Sequence, residues 1–252
     1  GLISSGANLN IFSLNENDET NETNKIINNI KFNNINGELI AGHNLIAMTD
    51  NLNNTNSGYI FANNMNLYNL DNTSGIVEGN YNIFINEKLN NEKGSITSLK
   101  NDSNIILNIN DGTVDINKDG KIKSNGNIIA NILSDYLMNG EIYSNQTLEI
   151  NANNIYNITD KITSNNIIIN SNGNIYNGNN ENSSAKITAL NDLVFNILNV
   201  EERNGGSLYN YGILSANNNL LISAADSVYN GVLDDSSAKI NAKNNIMITA
   251  GN

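Results

Sequence analysis

A short motif of two apolar stretches joined at a polar corner recurs along the whole chain, and this repeat restricts the fold more than any other feature. The copy at 140–150 reads Gly-Glu-Ile-Tyr-Ser-Asn-Gln-Thr-Leu-Glu-Ile. Successive copies begin about 17 to 36 residues apart, which covers the range of solenoid proteins. The copies, aligned on their first large aliphatic residue, begin at Ile3, Leu39, Ile60, Val77, Ile96, Ile122, Ile142, Ile162, Ile187, Ile213 and Ile240.

Three further positions of each copy have a constant character. The second residue after the first aliphatic is small in every copy: Ser5, Ala41, Ala62, Gly79, Ser98, Ser124, Ser144, Ser164, Ala189, Ser215 and Ala242. The corner residue is Asn8, Asn44, Asn64, Asn82, Asn104, Asn127, Thr147, Asn166, Asp192, Asn219 or Asn245. The first and third residues past the corner are apolar in every copy, as in Leu148 and Ile150. Because strand side chains alternate with a period of two, each copy is predicted to hold two short strands that bend at the corner.

A parallel β-helix fits this pattern better than the other solenoid of similar period. A leucine-rich repeat needs a helical return, but the segments between copies are rich in Asn, Gly and Ser and lack a 3.6-residue period. In four successive copies a third strand is predicted, at 155–157, 175–177, 208–210 and 228–230. We therefore predict an all-β fold: one domain over residues 1–252, a right-handed parallel β-helix (solenoid) of about 11 coils and about 50 Å in length.

The composition suits such a solenoid. About a quarter of the residues are Asn, which tolerates the left-handed backbone of corners and can stack its amides in hydrogen-bonded ladders. The chain has no Pro, which agrees with strands that have a neighbour on both sides, since Pro cannot donate to a ladder. The net charge of −12 argues against nucleic acid or an anionic membrane as a partner.

The residues that carry catalysis or bind metals are scarce. The chain has no Cys, one His at position 43 and one Arg at position 203. Residues 115–122 resemble the start of a Ca²⁺ loop, but the twelfth position, which should be a bidentate Glu, is Gly126, so a turn is favoured. We predict that the chain is not an enzyme and has no catalytic, cofactor-binding or metal-binding residues and no cofactor.

Two recurring features could contact a partner. Tyr156, Tyr176, Tyr209 and Tyr229 recur once per copy and predict an aromatic ladder, with a sugar- or protein-binding stripe as the alternative. The residue between the two inward positions of the second strand is mostly apolar: Ile46, Phe84, Ile106, Ile129, Ile168, Val194, Leu221 and Met247, with Asn10, Asn66 and Glu149 between them. Either loops or extra strands cover this apolar stripe, which we favour, or it is an exposed contact surface.

Polar stretches interrupt the repeat in two places. The first is 15–22, which is acidic and is predicted to be an exposed loop. The second is 201–206, which contains the Arg.

Copies of the form Gly-x-Ile-x-Ala/Ser followed by Asn-Leu-x-Ile, with Tyr-Asn between them, resemble the haemagglutinin repeats of filamentous-haemagglutinin-like exoproteins exported by two-partner secretion. The clearest stretches are 120–130, 140–152 and 211–224. The resemblance implies a secreted protein at the bacterial cell surface, an outer-membrane transporter as partner during export, and a protein or glycan of a host or neighbouring cell as the final partner. That family carries its export signal in a domain with an Asn-Pro-Asn motif, which this chain lacks, so we expect an interior fragment of a much larger chain.

The expected function is that of a shaft segment of a large adhesin, which provides reach and cell attachment. One alternative is a non-binding carrier shaft of a secreted leukotoxin or contact-dependent inhibition toxin. Another is a polysaccharide-active β-helix enzyme, which would need Asp or Glu together with Lys in one groove.

Overall fold

The chain forms a stack of parallel strands with three walls. The structure is a computed structural model that describes residues 1–12, 31–112, 114–159, 161–179, 184–198, 206–231 and 238–251. These residues form 27 strands, and none of them is helical. The predicted polar segment 15–22 and residues 201–205 of the second one lie outside the described residues.

Each wall is a column of strands that pair in parallel register with the turns above and below. The first wall consists of β1 (Leu2–Ser5), β4 (Glu38–Ala41), β7 (Tyr59–Ala62), β9 (Ile76–Gly79), β11 (Ser95–Ser98), β13 (Lys121–Ser124), the starts of β16 (Glu141–Ala152) and β18 (Ile162–Ser171), β20 (Lys186–Ala189), β23 (Ile213–Ala216) and β26 (Lys239–Ala242). The second wall consists of β2 (Leu9–Phe12), β5 (Asn44–Met48), β8 (Asn64–Asp71), β10 (Asn82–Asn90), β12 (Asn104–Ile109), β14 (Asn127–Ile132), the ends of β16 and β18, β21 (Leu193–Ile197), β24 (Asn219–Ala224) and β27 (Asn245–Ala250). The third wall consists of β3 (Lys31–Asn33), β6 (Asn51–Asn53), the ends of β8 and β10, β15 (Tyr136–Met138), β17 (Ile155–Asn157), β19 (Ile175–Asn177), β22 (Leu208–Asn210) and β25 (Val228–Asn230).

The predicted fold class is confirmed: the protein is an all-β parallel solenoid. It has about nine turns, slightly fewer than the eleven predicted. The four predicted third strands are confirmed, and β15 adds a fifth member to their sheet.

The core is a continuous column of aliphatic side chains inside the three walls. In the strands of the second wall from β5 to β24, the two predicted inward residues are buried. Ile105 and Leu107, for example, are 0% and 1% exposed. The small residues of the first wall, such as Ser98 and Ser124, are buried opposite them. The residues between the inward positions point outward, which is the alternation that a strand with one buried face requires.

One assignment from the sequence is wrong by one residue. The copy that was aligned on Ile213 and Ser215 pairs with its neighbours through Leu214 and Ala216, which align with Ile187 and Ala189. Leu214 is fully buried, whereas Ile213 is only half-buried. A shift of one residue moves every side chain of a strand to the other face, and the run Ile-Leu-Ser-Ala offers an apolar then small pair in both registers.

The corner asparagines form the ladder that their repetition predicts. Each side-chain Nδ2 donates to the Oδ1 of the corner residue one turn earlier, over 3.0 Å from Asn44 to Asn8 and 3.1 Å from Asn127 to Asn104. The same Oδ1 also accepts the backbone N–H of the corner residue above, as Asn8 does from Asn44 at 3.3 Å. Thr147 and Asp192 continue the column, because the Thr147 N–H donates to Asn127 and Asp192 accepts from Asn219.

A second ladder runs inside the solenoid, at the turn that leads from the third wall to the first. It consists of Asn34, Asn54, Asn72, Asn91 and Asn117, whose side chains are at most 7% exposed. Each Nδ2 donates to the Oδ1 of the next member over 2.6–2.7 Å. Most also donate to a strand carbonyl in the next turn, as Asn72 does to Ser95 at 3.2 Å. Buried amides cost free energy unless they are hydrogen-bonded, so these contacts hold successive turns in register.

The turn that carries this inner ladder needs a left-handed residue and then a glycine. Ser74 and Lys93 have φ values of 54° and 55° and directly precede Gly75 and Gly94. A Cβ atom at Gly94 would collide with the carbonyl oxygen of Asn72 in the turn before. Four of the five turns of the inner ladder have the sequence Asn-x-x-Gly, and the turn at Asn54 has one more residue before Gly58, so the glycine is the shared requirement for close stacking at this corner.

The inner ladder is interrupted once and then resumes on the third wall. Met138, which is fully buried, pairs in register with Asn157. From there Asn157, Asn177 and Asn210 donate to one another and to Asn230 over 2.7–2.8 Å. The methionine thus separates two amide ladders inside one core.

We expect the inner ladder to contribute more to stability than an exposed one. Asn91→Ala removes two amide hydrogen bonds, at 2.7 and 2.6 Å. The facing groups of Asn72 and Asn117 are buried, so water cannot replace the lost hydrogen bonds. We expect this substitution to lower the free energy of unfolding by about 2 kcal/mol or more. The measurement is urea unfolding followed by circular dichroism.

Asn131→Ala is the matched control, because Asn131 also makes two amide hydrogen bonds, at 2.9 and 2.8 Å, but is exposed to solvent. Water replaces those bonds, so a loss below about 0.5 kcal/mol is expected. Equal losses in the two variants would contradict a stabilising role that depends on burial.

Candidate binding surfaces

The apolar stripe forms one straight row on the outside of the second wall. Its members stack in register, turn after turn, in the order Asn10, Ile46, Asn66, Phe84, Ile106, Ile129, Glu149, Ile168, Val194, Leu221 and Met247. None of its eight apolar members is buried, and Phe84 and Met247 are 36% and 57% exposed.

The favoured prediction, that other segments cover the stripe, is wrong for the described residues. Ile106, Ile129 and Ile168 are half-buried, like the outward Thr163 and Thr188 of the first wall. That degree of burial is what neighbours about 4.8 Å away in the same sheet provide. The stripe is therefore a partly exposed surface of the rod, not a second core.

Two columns of uncharged amides border the stripe. The corner ladder lies on one side. A rim ladder lies on the other, where successive Nδ2 and Oδ1 atoms are 2.6–2.9 Å apart. Its members are Asn86, Asn108, Asn131, Asn151, Asn170 and Asn196. In the rim ladder an inner amide such as Asn131 uses one N–H and one lone pair, so it keeps one donor and one acceptor for a partner. Asn151 also donates to Glu149, at 3.2 Å. The sequence analysis missed this rim ladder, although an Asn directly after the second inward residue marks it in six copies.

The first wall has a different chemistry, because its outward positions carry charges of both signs. Glu141 forms an ion pair with Lys123 at 2.8 Å and a longer one with Lys121 at 4.0 Å. Tyr59 donates to Glu78 at 2.8 Å, and burial together with this carboxylate raises the pKa of Tyr59 to about 12. On the second wall, from Asn44 to Ala250, the described corner, stripe and rim positions carry two charged groups, Glu149 and Asp192, and Glu87 and Lys88 follow the rim position of β10.

The four tyrosines form the predicted aromatic ladder on the third wall. Successive ring centroids are 4.9–5.0 Å apart, and the ring planes differ by 3° to 9°. Each inner ring is covered on both faces by its neighbours, so the row offers ring edges and hydroxyl groups to solvent. Sugars pack on open aromatic faces, and therefore this geometry favours a structural role of the tyrosine ladder over a ligand-binding role.

Two shallow grooves follow the corners of the solenoid. The asparagine groove lies beside the rim ladder and is lined by Asn110, Asn131, Ile132, Leu133, Asn151, Ala152, Asn153, Asn170 and Asn172. Within it Leu133 is 69% exposed, and Asn153 donates to the Leu133 carbonyl at 3.0 Å. A row of amides beside one exposed aliphatic side chain can bind an uncharged polar ligand such as a glycan.

The charged groove lies at the corner between the third and first walls. It is lined by Asp119, Gly120, Lys121, Asn139, Gly140, Glu141, Ile158, Thr159, Lys161 and Ser184. Two carboxylates and two lysines thus share one groove, a grouping that the sequence analysis did not detect because its members come from three different turns.

The other residues that the sequence offered as candidate ligands, His43 and the segment 115–122, lie at corners of the solenoid. His43 is exposed at a corner, where its backbone N–H donates to Ala7 at 2.9 Å. In the Ca²⁺-like segment Asn117 is fully buried in the inner ladder, so the turn interpretation agrees with the structure. Within the described ranges, no group of three or more His, Cys, Asp or Glu side chains is placed to hold a metal ion.

No protein-family model, curated protein or solved structure matches this chain. The likeness to haemagglutinin repeats therefore rests on the repeat residues alone. Among the described residues no helix is long and apolar enough to cross a membrane.

We expect the tyrosine ladder to make stability fall at high pH. Burial raises the pKa of Tyr156 and Tyr176 above the usual value of 10.0, and the nearby Asp135 and Tyr209 add to these shifts. The folded chain then holds these protons more tightly than the unfolded chain. Their contribution is complete below about pH 10 and is lost as the pH rises through the folded pKa values.

The measurement is the thermal unfolding midpoint from neutral to strongly alkaline pH. A Tyr156→Phe, Tyr176→Phe variant keeps the ring stack but cannot ionise there, so its midpoint should fall less than that of the wild type above about pH 10. Tyr143→Phe, on the first wall, is the control. An equal fall in all three proteins would contradict the role of the ladder.

Proposed function

We propose that this chain is a shaft segment of a large secreted bacterial surface exoprotein that provides reach and attaches to a protein or glycan of a host or neighbouring cell. The proposal includes an outer-membrane transporter as the partner during export, and it assigns the chain no catalysis. It rests on the haemagglutinin-like repeat together with the surfaces of the solenoid.

The observation that carries the proposal is the unbroken register of the first and second walls. In the first wall every strand from β1 to β26 pairs with the next copy, over a length of about 50 Å. A rod built in this way keeps its length and direction, because each turn is hydrogen-bonded to both neighbours. Such a rod suits a spacer that holds other parts of a chain away from a surface.

Attachment is supported by the asparagine groove. Its amides have donors and acceptors that the ladder does not use, and the exposed Leu133 lies among them. Neutral sugars combine hydroxyl groups with apolar C–H surfaces, so they are the partner class that this lining fits. The lining contains no charged side chain.

The proposal predicts saturable binding of the fluorescently labelled chain to epithelial cells, erythrocytes or leukocytes. Leu133→Lys should abolish that binding, because it places a charge in an uncharged groove at a position that is 69% exposed and adds little to stability. Thr163→Lys is the matched control on the first wall and should bind like the wild type. The measurement is flow cytometry over a concentration series, with glycosidase-treated cells to separate glycan from protein receptors.

Absence of saturable binding on all cell types would remove attachment from the proposal and leave the carrier shaft of a toxin. That role has a specific observation in its favour, since the stacked tyrosine faces are closed to ligands. Binding that Leu133→Lys does not change would place the contact elsewhere on the rod.

A polysaccharide-active enzyme is the second candidate, because the charged groove brings Asp119 and Glu141 together with Lys121 and Lys161. Lysines hold Glu141 in ion pairs, which suits a surface network. Incubation with neutral and acidic polysaccharides should release no new reducing or unsaturated ends if the shaft role is correct. Release that disappears in Glu141→Gln would establish the enzyme instead.

A further inference from the structure

We propose that the second wall is a self-association surface through which two copies of this chain pair face to face, with their solenoid axes antiparallel. The surface comprises the outward residues of eight successive strands, whose central positions run from Phe84 to Met247. The inference is independent of the proposed function, since it concerns the shaft itself and not a cell receptor.

The first argument is that this surface is complementary to itself. The stripe is central, and columns of amides border it on both sides. When two such surfaces face each other, apolar residues meet apolar residues and amides meet amides. Both copies have the same axial spacing, so side chains of one can enter the gaps between rungs of the other along the whole length, as in a steric zipper. A foreign partner would need the same repeat to match it.

The distribution of charge also favours the second wall as the contact surface. The chain carries a net charge of −12, so two copies repel each other over most of their surface. In these eight strands the corner, stripe and rim positions carry two charged groups, Glu149 and Asp192, while Glu87 and Lys88 lie beyond the rim position at the end of β10. Three amide and backbone N–H groups donate to Asp192. This wall is therefore the place where two copies approach with the least repulsion.

The area of the second wall is sufficient for a weak dimer. Eight strands spaced at about 4.8 Å, with five residues across each, span a plane of roughly 550 Å². Two such planes bury about 1,100 Å², which lies near the lower limit for specific interfaces. A reversible dimer of modest affinity follows from this area, strengthened if further turns continue the wall.

Glu149 determines the orientation. In a parallel, in-register pair, each Glu149 would face the Glu149 of the other copy. In an antiparallel pair centred between Glu149 and Ile168, the carboxylate faces Ile168, and Phe84 faces Met247 at the ends. The glutamate thus favours the antiparallel pair over the parallel one, because the parallel pair places the two carboxylates directly opposite each other whereas the antiparallel pair offsets them by one rung of about 4.8 Å.

Sedimentation velocity over a wide concentration range tests the pairing. The wild type should show a concentration-dependent monomer–dimer equilibrium. Ile129→Lys with Val194→Lys should weaken association more than tenfold, because in the antiparallel pair each Lys at 129 would face the Lys at 194 of the other copy. Glu149→Gln should strengthen it severalfold, because the substitution removes the charge and keeps an amide beside Asn151. Circular dichroism and the melting midpoint confirm that each variant is folded.

The matched control is Thr163→Lys with Thr188→Lys, which adds the same charge at paired outward positions of the first wall. This variant should dimerise like the wild type. A wild type that stays monomeric at every concentration overturns the proposal. A dimer that survives the two stripe lysines also overturns it and places the contact elsewhere on the rod.

Cross-linking tests the orientation, and the absence of native Cys makes it specific. A mixture of the Phe84→Cys and Met247→Cys variants should form the mixed disulfide dimer under mild oxidation in preference to either homodimer. Preferred homodimers would show parallel pairing and overturn the antiparallel arrangement. Addition of the two stripe lysines to both variants should remove the mixed product.

Discussion

Every feature of this protein depends on the parallel register that places equivalent residues of successive turns directly above one another. Backbone hydrogen bonds set the spacing, and the inner Asn ladder selects the register, because a slip would leave buried amides without partners. The glycine after the left-handed residue permits this close approach at the same corner. The strand register therefore depends on the Asn and Gly residues at this corner.

The register also decides which residues the surface tolerates. Identical Asn, Tyr and Ile side chains gain from being stacked, since amides form ladders, rings stack and aliphatic groups pack. Identical charges in a column repel one another, whereas opposite charges attract, as Glu141 and the Lys121 directly below it in the first wall do. A charged content of 15% agrees with that restriction.

Each wall consequently has its own uniform chemistry: mixed charge on the first, amides and aliphatics on the second, and stacked tyrosines on part of the third. A repeated surface offers many equal weak contacts, whose combined strength grows with the number of turns engaged. The charge of −12 lies mostly outside the second wall, and the asparagine groove shares Asn131, Asn151 and Asn170 with that wall, so the proposed attachment and self-association use adjoining surfaces of low charge. A shaft that pairs laterally would present its receptor surfaces in two copies.

The sequence by itself determined the solenoid, its strand positions and most inward residues, because the period of two recurs in every copy and the corner is Asn in all copies but those of Thr147 and Asp192. It also indicated the tyrosine ladder and the apolar stripe. Only the tertiary structure decided the register at Leu214, since Ile213 and Leu214 are equally apolar and pairing with Ile187 selects one of them. The same holds for the inner amides, whose Asn-x-x-Gly signal does not say whether the Asn points inward. It holds also for the exposure of the stripe and for both grooves, because their residues come from separate turns that only the completed stack brings together.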